Sequence, residues 1–126
     1  MATSLYAAIL AGWMLYLAAQ VIKQRRKHQI SLLDGDVEDL KVARSAHHNA
    51  TEYIPIALIL LYLAESSGLP CLMVHLCGIA LVTGRVLHAI AILNKRMKGR
   101  FYGMILTLIT ISVLALSNIA LYVMNL

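Results

Sequence analysis

Two short stretches carry side chains able to do chemistry where a chain of this composition should have none. In RSAHHNATEYIP (44–55), His47, His48, Asn49, Glu52 and Tyr53 stand just ahead of the apolar run IALILLYLAE (56–65). In LVTGRVLHAIAIL (81–93), Arg85 and His88 interrupt an otherwise apolar segment. Asn49, Glu52 and Tyr53 are spaced i, i+3, i+4, and Arg85 and His88 are spaced i, i+3, so each set forms one stripe on a helix. A cation inside an apolar helix costs a few kcal/mol and needs a partner or a ligand. One stripe supplies an anion and the other a cation, so together they imply a polar pocket between helices. A buried Glu52–Arg85 ion pair that only locks the helices together satisfies the same spacing.

The elements that position these stripes are membrane spans. Of 126 residues, 60% are hydrophobic and 13% charged, and the mean hydropathy is +0.76. One domain of this length cannot bury so much apolar surface in water, which places the chain in the integral membrane class. Four spans are expected, at about 4–22, 45–65, 70–93 and 101–125, with the polar stretch forming the start of the second. SSGLP (66–70) reads as a tight turn, LLDGDVEDL (32–40) as a polar loop, and Glu38 and Asp39 suit the first turn of the second helix. No strand-type alternation is present. The fold class is therefore all-α, a four-helix membrane bundle of up-down topology forming a single domain over 1–126.

Ten of the eleven Lys and Arg residues lie in 23–44 and 94–100, and the exception is Arg85. The positive-inside rule makes those two loops cytoplasmic and puts both termini on the non-cytoplasmic side. The formal charge of +5 is thereby explained by topology, and a nucleic-acid partner is not expected. Other polar residues read as structural. Glu65 closes the second span as a solvated outer-turn residue, His75 is a satisfied structural histidine toward the outer end of the third span, and Asn118 and Asn125 serve packing and the outer end. Cys71 and Cys77, six apart, form neither a redox pair nor a metal knuckle. His48 and Glu52 are an i, i+4 pair, but adjacent histidines point about 100° apart on a helix and no HExxH is present, so no metal is expected. A nucleophile elbow, a phosphate-binding glycine loop and a catalytic triad are absent as well.

HHNATEYIP followed by an apolar helix, with GRVLHA on the next span, resembles the MAPEG superfamily, the membrane-associated proteins in eicosanoid and glutathione metabolism. The resemblance covers nearly the whole chain: four spans, a basic first loop, and both motifs in order. It implies homotrimers of four-helix protomers, with glutathione as co-substrate bound between neighbouring subunits. Asn49, Glu52 and Tyr53 would hold the tripeptide with His47 beside them, and Arg85 and His88 would supply the other wall. Glutathione carries two carboxylates and an ammonium, so guanidinium groups and a carboxylate suit it. Arg25 matches a family arginine at the end of span one, with Arg26 as a rival. Ser45 stands where the family places an arginine, and Arg44 lies one residue earlier. Ile92 stands where synthases of the family carry tyrosine, which favours general glutathione chemistry over an eicosanoid synthase. Arg100, at the start of span four, matches the arginine that stabilises the glutathione thiolate.

The function implied is a glutathione-dependent membrane transferase or peroxidase of the bacterial inner membrane. It would serve detoxification, acting on a lipophilic small molecule that arrives from the bilayer. A non-catalytic member of the same family that binds lipid or a partner protein is the alternative. A small proton-coupled drug transporter is more remote, since it would use an intramembrane glutamate without a counter-charge, and Glu52 has Arg85 to pair with.

Overall fold

The computed structural model describes all 126 residues. It holds four helices, α1 (Thr3–His28), α2 (Glu38–Ser66), α3 (Cys71–Leu93) and α4 (Met97–Met124), and no strand. At 1.5 Å per residue even the 23-residue α3 is about 35 Å long, enough for a hydrocarbon layer of about 30 Å. Three helices, α1, α3 and α4, are long and apolar enough to cross a membrane. The fourth, α2, is the longest at 29 residues, but its first half carries the polar stretch and fails on composition rather than length. It begins at Glu38, behind Val37 in extended backbone, and its first turn holds Glu38 and Asp39, acids that the positive end of a helix dipole favours.

The helices alternate in direction, and side-chain bonds tie one end together. Glu65 accepts hydrogen bonds from the Ala2 and Thr3 backbone N–H groups and from the Thr3 hydroxyl. Asn125 Nδ2 donates to the Ser67 carbonyl. Both termini and the α2–α3 turn therefore share one end, and the two basic loops share the other. Glu65 is not the solvated residue expected from the sequence. Its carboxylate caps α1, whose first turn has no acidic residue and no side-chain cap of its own. His75 is satisfied as expected, its Nδ1 lying 2.7 Å from the Tyr6 hydroxyl. Asn118 Nδ2 donates to the carbonyls of Leu60 and Leu114.

Helix α2 touches all three others, whereas α1 and α4 do not meet. Its inward stripe is Leu40, Ala43, Ala46, Ala50, Ile54, Ala57, Leu61 and Ala64. Five of these eight are alanine, which lets neighbouring backbones approach closely. At the glycines, backbone meets backbone most closely between α3 and α4. A Cβ on Gly103 would stand 2.7 Å from the His88 backbone nitrogen and 2.8 Å from the Gly84 carbonyl oxygen. One on Gly84 would stand 2.9 Å from Thr107 Oγ1, and one on Gly99 would stand 2.9 Å from the Ala91 Cβ. Gly99 and Gly103 form a GxxxG pair, the spacing that seats one membrane helix on another. Only 25 of the 126 residues are buried, while Leu15, Leu72, Leu116 and Ile119 are each more than half exposed. So apolar an exterior belongs against lipid or against further copies of the chain.

Candidate functional site

Arg85 is the largest fully buried side chain, 2% exposed. The α3–α4 contact puts it there, because Gly84, just before it, lets α4 come close enough for Thr107 to reach the guanidinium. Arg85 Nε donates to Thr107 Oγ1 at 2.8 Å, and Nη1 donates to Asn49 Oδ1 at 2.6 Å. Nη2 lies 3.9 Å from Met104 Sδ, and the guanidinium carbon is 5.3 Å from the centroid of the Tyr53 ring. One arginine on α3 thus joins α2 and α4 through a hydroxyl, an amide oxygen, a thioether and an aromatic face. Its planar fork serves several partners at once, as a lysine could not, and the ring face adds a cation–π attraction.

No carboxylate pairs with Arg85. Glu52, the partner that its spacing suggests, lies 3.1 Å from His48 Nε2 instead, and both side chains are more than half exposed. The buried Glu52–Arg85 ion pair is therefore not formed. The stripe spacing held, but it fixes which face a residue occupies, not how deep its side chain lies. Glu52 opens outward at the helix surface, and Asn49, one turn earlier, takes the inward place. Nor does Arg85 serve as the counter-charge invoked against a transporter's lone glutamate.

Outside this core lies an open cleft of about 430 Å³ at the basic end, between the first half of α2, the end of α3 and the start of α4. Asn49, Glu52, His88 and Arg100 all line it. Three of the four come from the two motif stripes and the fourth from the start of α4. Arg100 is exposed and His88 buried, so the cleft has a solvated cationic rim and a deeper imidazole. A smaller hollow of about 250 Å³, shared by Asn49, His88, Arg100, Met97, Phe101 and Met104, adjoins it. Phe101, which lines it, and the neighbouring Tyr102 are each 61% exposed, which gives this side an aromatic rim. Arg85 lines neither hollow. It stands directly behind Asn49.

The remaining sequence candidates gather elsewhere. Arg25, Arg44 and His47 line a second cleft of about 650 Å³ together with Asp34, Lys41, Ser45 and His48. Lys41, Ser45 and His48 line both clefts and form the ridge between them on α2. Arg25 Nη1 donates to the Leu33 carbonyl at 2.9 Å and to the Ile30 carbonyl at 3.4 Å, folding the α1–α2 loop back on its own helix. Arg44 Nη1 lies 3.5 Å from Asp34 Oδ2. Asp36 of the same loop pairs with Lys41 of α2, and the Lys41 ammonium holds the Asp36 carboxyl below its usual range. Asp36 is open to solvent and Lys41 partly so, and so exposed a pair orders the loop without adding measurable stability. Arg26, the rival of Arg25, is exposed and lines neither cleft. Sequence reasoning missed Thr107 and Met104, the α4 partners of Arg85. The GxxxG spacing at 99–103 was the available signal, since it seats α4 on α3 and turns the next two helical turns of α4 toward Arg85.

Comparison with known proteins agrees with this architecture. The family model described as "MAPEG family" matches residues 3–120. The chain is 33% identical over 119 residues to "Inner membrane protein YecN" of Escherichia coli strain K12, covering 94% of this chain and 91% of that protein. The protein of the same name from Escherichia coli O6:H1 gives the same figures.

Proposed function

The chain belongs to the MAPEG family, and from that premise we propose that it is a glutathione-dependent transferase acting at the surface of an inner membrane. The observation that carries this reading is the meeting of Asn49, Glu52, His88 and Arg100 in one cleft at the basic end. The Glu52 carboxylate suits the ammonium of glutathione, and shifting from His48 to the ligand exchanges one charge-assisted contact for another. Asn49, fixed from behind by Arg85, presents its amide to the ligand backbone. Arg85 is thus a positioning residue rather than a wall of the site.

Arg100 supplies the chemistry. A free thiol loses its proton near pH 8.5, so little thiolate exists at neutral pH. A guanidinium beside the sulfur favours the anion, and the proton passes to water at the exposed rim. The sulfur lone pair then forms a C–S bond with a lipophilic electrophile, whose leaving group departs with the bonding electrons. Reduction of a hydroperoxide begins with the same thiolate. The adjoining Met97–Phe101–Met104 hollow opens on the lipid side and suits an apolar substrate.

Arg25, Arg44 and His47 line the second cleft and not the first, with the α2 ridge between them and the cleft proposed for glutathione. A homotrimer would remove the difficulty by setting the second cleft of one copy against the first cleft of the next. The basic loops would face the cytoplasm under the positive-inside rule.

The test is spectroscopic. Purified protein in mild detergent should develop thiolate absorbance near 240 nm when glutathione is added at neutral pH, and native mass spectrometry should give a trimer. Tight glutathione binding without thiolate absorbance would favour a non-catalytic binding role, and absence of binding would refute the proposal.

A further inference from the structure

Glutathione brings two carboxylates, and three of the arginines that could meet them do not line the first cleft. Arg85 stands behind Asn49, while Arg25 and Arg44 line the second cleft. The cations of the first cleft are Lys41, Lys95, Arg96 and Arg100. Lys41 is paired with Asp36, and Arg100 is assigned to the sulfur. Lys95 and Arg96 are exposed and take part in none of the ion pairs of the protein. The positive-inside rule accounts for both as topological charge, but it does not account for how Lys95 is held.

Helix α3 ends in the hydrogen-bond pattern of a Schellman turn. The Lys95 N–H donates to the Ile92 carbonyl at 3.0 Å, and the Arg96 N–H donates to the Ala91 carbonyl at 2.7 Å. The residue after the cap of such a turn is left-handed and is usually glycine. Here it is a lysine at φ 56°, a conformation that a Cβ disfavours. Among the residues lining the first cleft, Lys95 alone has a positive φ. Strain of this kind at the mouth of a cleft points to a use for the side chain that bears it. Lys98, three residues on, has ordinary helical backbone and lies outside the cleft.

The order of charged groups along the cleft decides which part of the ligand reaches Lys95. The Asn49–Arg85 bond puts those two residues at one depth. Glu52 lies three residues beyond Asn49 toward the outer end, and Lys95 lies ten beyond Arg85 toward the basic end. At 1.5 Å per residue their backbones stand about 20 Å apart along the bundle. Glu52 leans back toward the start of α2, as helical side chains do, and a lysine side chain is long, so the two charges stand closer than that. An extended tripeptide reaches about 11 Å. Arg100, one turn into α4, lies between them. Ammonium, thiol and glycyl carboxylate follow in that order along glutathione, matching Glu52, Arg100 and Lys95 from the deep end to the rim. The other carboxylate is borne on the same carbon as the ammonium and stays deep. We propose that Lys95 binds the glycyl carboxylate of glutathione at the mouth of the first cleft, an assignment that rests on the glutathione reading of that cleft. It makes a free C-terminal carboxylate part of what the site selects, so thiol peptides blocked or extended at that end are poor ligands.

The test is calorimetry of the full-length protein in mild detergent with glutathione and with its glycyl monoethyl ester, which differ in that one charge. Wild type should bind the ester about 10- to 150-fold more weakly, the margin that one charge-assisted hydrogen bond gives. Lys95→Gly should bring glutathione down to the affinity of the ester while leaving the ester unchanged. Glycine suits the left-handed position, so the variant should keep or raise the unfolding midpoint, and its lost affinity is then not a loss of fold. Lys98→Gln, outside the cleft, should preserve the difference between the two ligands. Equal binding of both ligands by wild type, or a difference undiminished in Lys95→Gly, would overturn the assignment and leave the glutathione reading standing. No binding of glutathione by wild type would overturn both.

Discussion

Replacing Arg85 by methionine separates a residue that only holds the bundle from one that readies a ligand site. Methionine nearly matches the arginine stem in length and removes the charge. Two terms then compete in stability. A cation within an apolar span costs about 2.5–3.5 kcal/mol at the centre, and Arg85→Met recovers that. The variant also forfeits the bonds to Thr107 Oγ1 and Asn49 Oδ1, each worth about 1.5–3 kcal/mol for a charged donor. Thr107 keeps its own bond to the Gly103 carbonyl, and Asn49 faces an open cleft where water reaches it, so neither partner is stranded. The two terms overlap: at their midpoints the lost bonds outweigh the recovered cost by about 1.5 kcal/mol, and the extremes run from about zero to about 3.5 kcal/mol of lost stability.

Binding should respond differently. Without Arg85, Asn49 rotates freely and must be ordered by the ligand, at about 0.5–1.5 kcal/mol, or about 2- to 12-fold in Kd. Direct contact between Arg85 and a ligand carboxylate would instead cost about 1.5–3 kcal/mol, or about 10- to 150-fold. Calorimetry with glutathione, run beside thermal unfolding in the same detergent, reads both quantities. A variant that binds normally but unfolds several kcal/mol more easily would show that Arg85 only fastens the helices, and the positioning argument would fall.

Arg100→Ala should leave glutathione bound but shift the appearance of the 240 nm thiolate signal to higher pH by about one to three units, at about 1.4 kcal/mol each. Lys98→Ala, outside the first cleft, should leave the spectrum unchanged; Arg96 lines that cleft together with Arg100, and loss of the signal in Arg96→Ala but not in Arg100→Ala would move the thiolate site to Arg96. Gly103→Ala should push α4 off α3 and cost about 1–3 kcal/mol, seen as a lower unfolding midpoint. Gly12→Ala, where a Cβ meets nothing within 4 Å, should be neutral or stabilise by about 0.5–1 kcal/mol. Equal effects at the two glycines would refute the close-approach argument. Glu65→Gln should weaken the α1 cap by about 1 kcal/mol, visible as faster amide exchange in the first turn of α1.

Much of the architecture follows from composition and periodicity alone. Apolar runs near 20 residues must be helices in lipid, because no other open segment satisfies its own backbone there. Stretches such as SSGLP and LLDGDVEDL must interrupt them. The two polar stripes were legible for the same reason, since i, i+3 and i, i+4 spacings fix which residues share a face whatever surrounds the helix. Likewise, a lone arginine in LVTGRVLHAIAIL had to have partners, although the sequence did not name them.

Partner and depth were decided by tertiary packing. Glu52 and Asn49 occupy one stripe, yet Asn49 faces the guanidinium and Glu52 faces His48, because packing sets how far each turn of α2 stands from α3. Thr107 reaches Arg85 only because glycines at 84 and 103 bring two backbones together, a distance that no single-helix periodicity encodes. Glu65 reads as a solvated carboxylate in one dimension, and it becomes the α1 cap once the N-terminus folds back beside the α2–α3 turn. The family resemblance brings Arg25, Arg44 and His47 to the same ligand as Asn49 and Glu52 between subunits, whereas within one protomer the α2 ridge of Lys41, Ser45 and His48 stands between the two sets. Charge and spacing are local properties that a sequence displays directly. Which side of a helix ridge a charge ends on depends on where the neighbouring helices cross, and that is set by contacts between residues far apart in the chain.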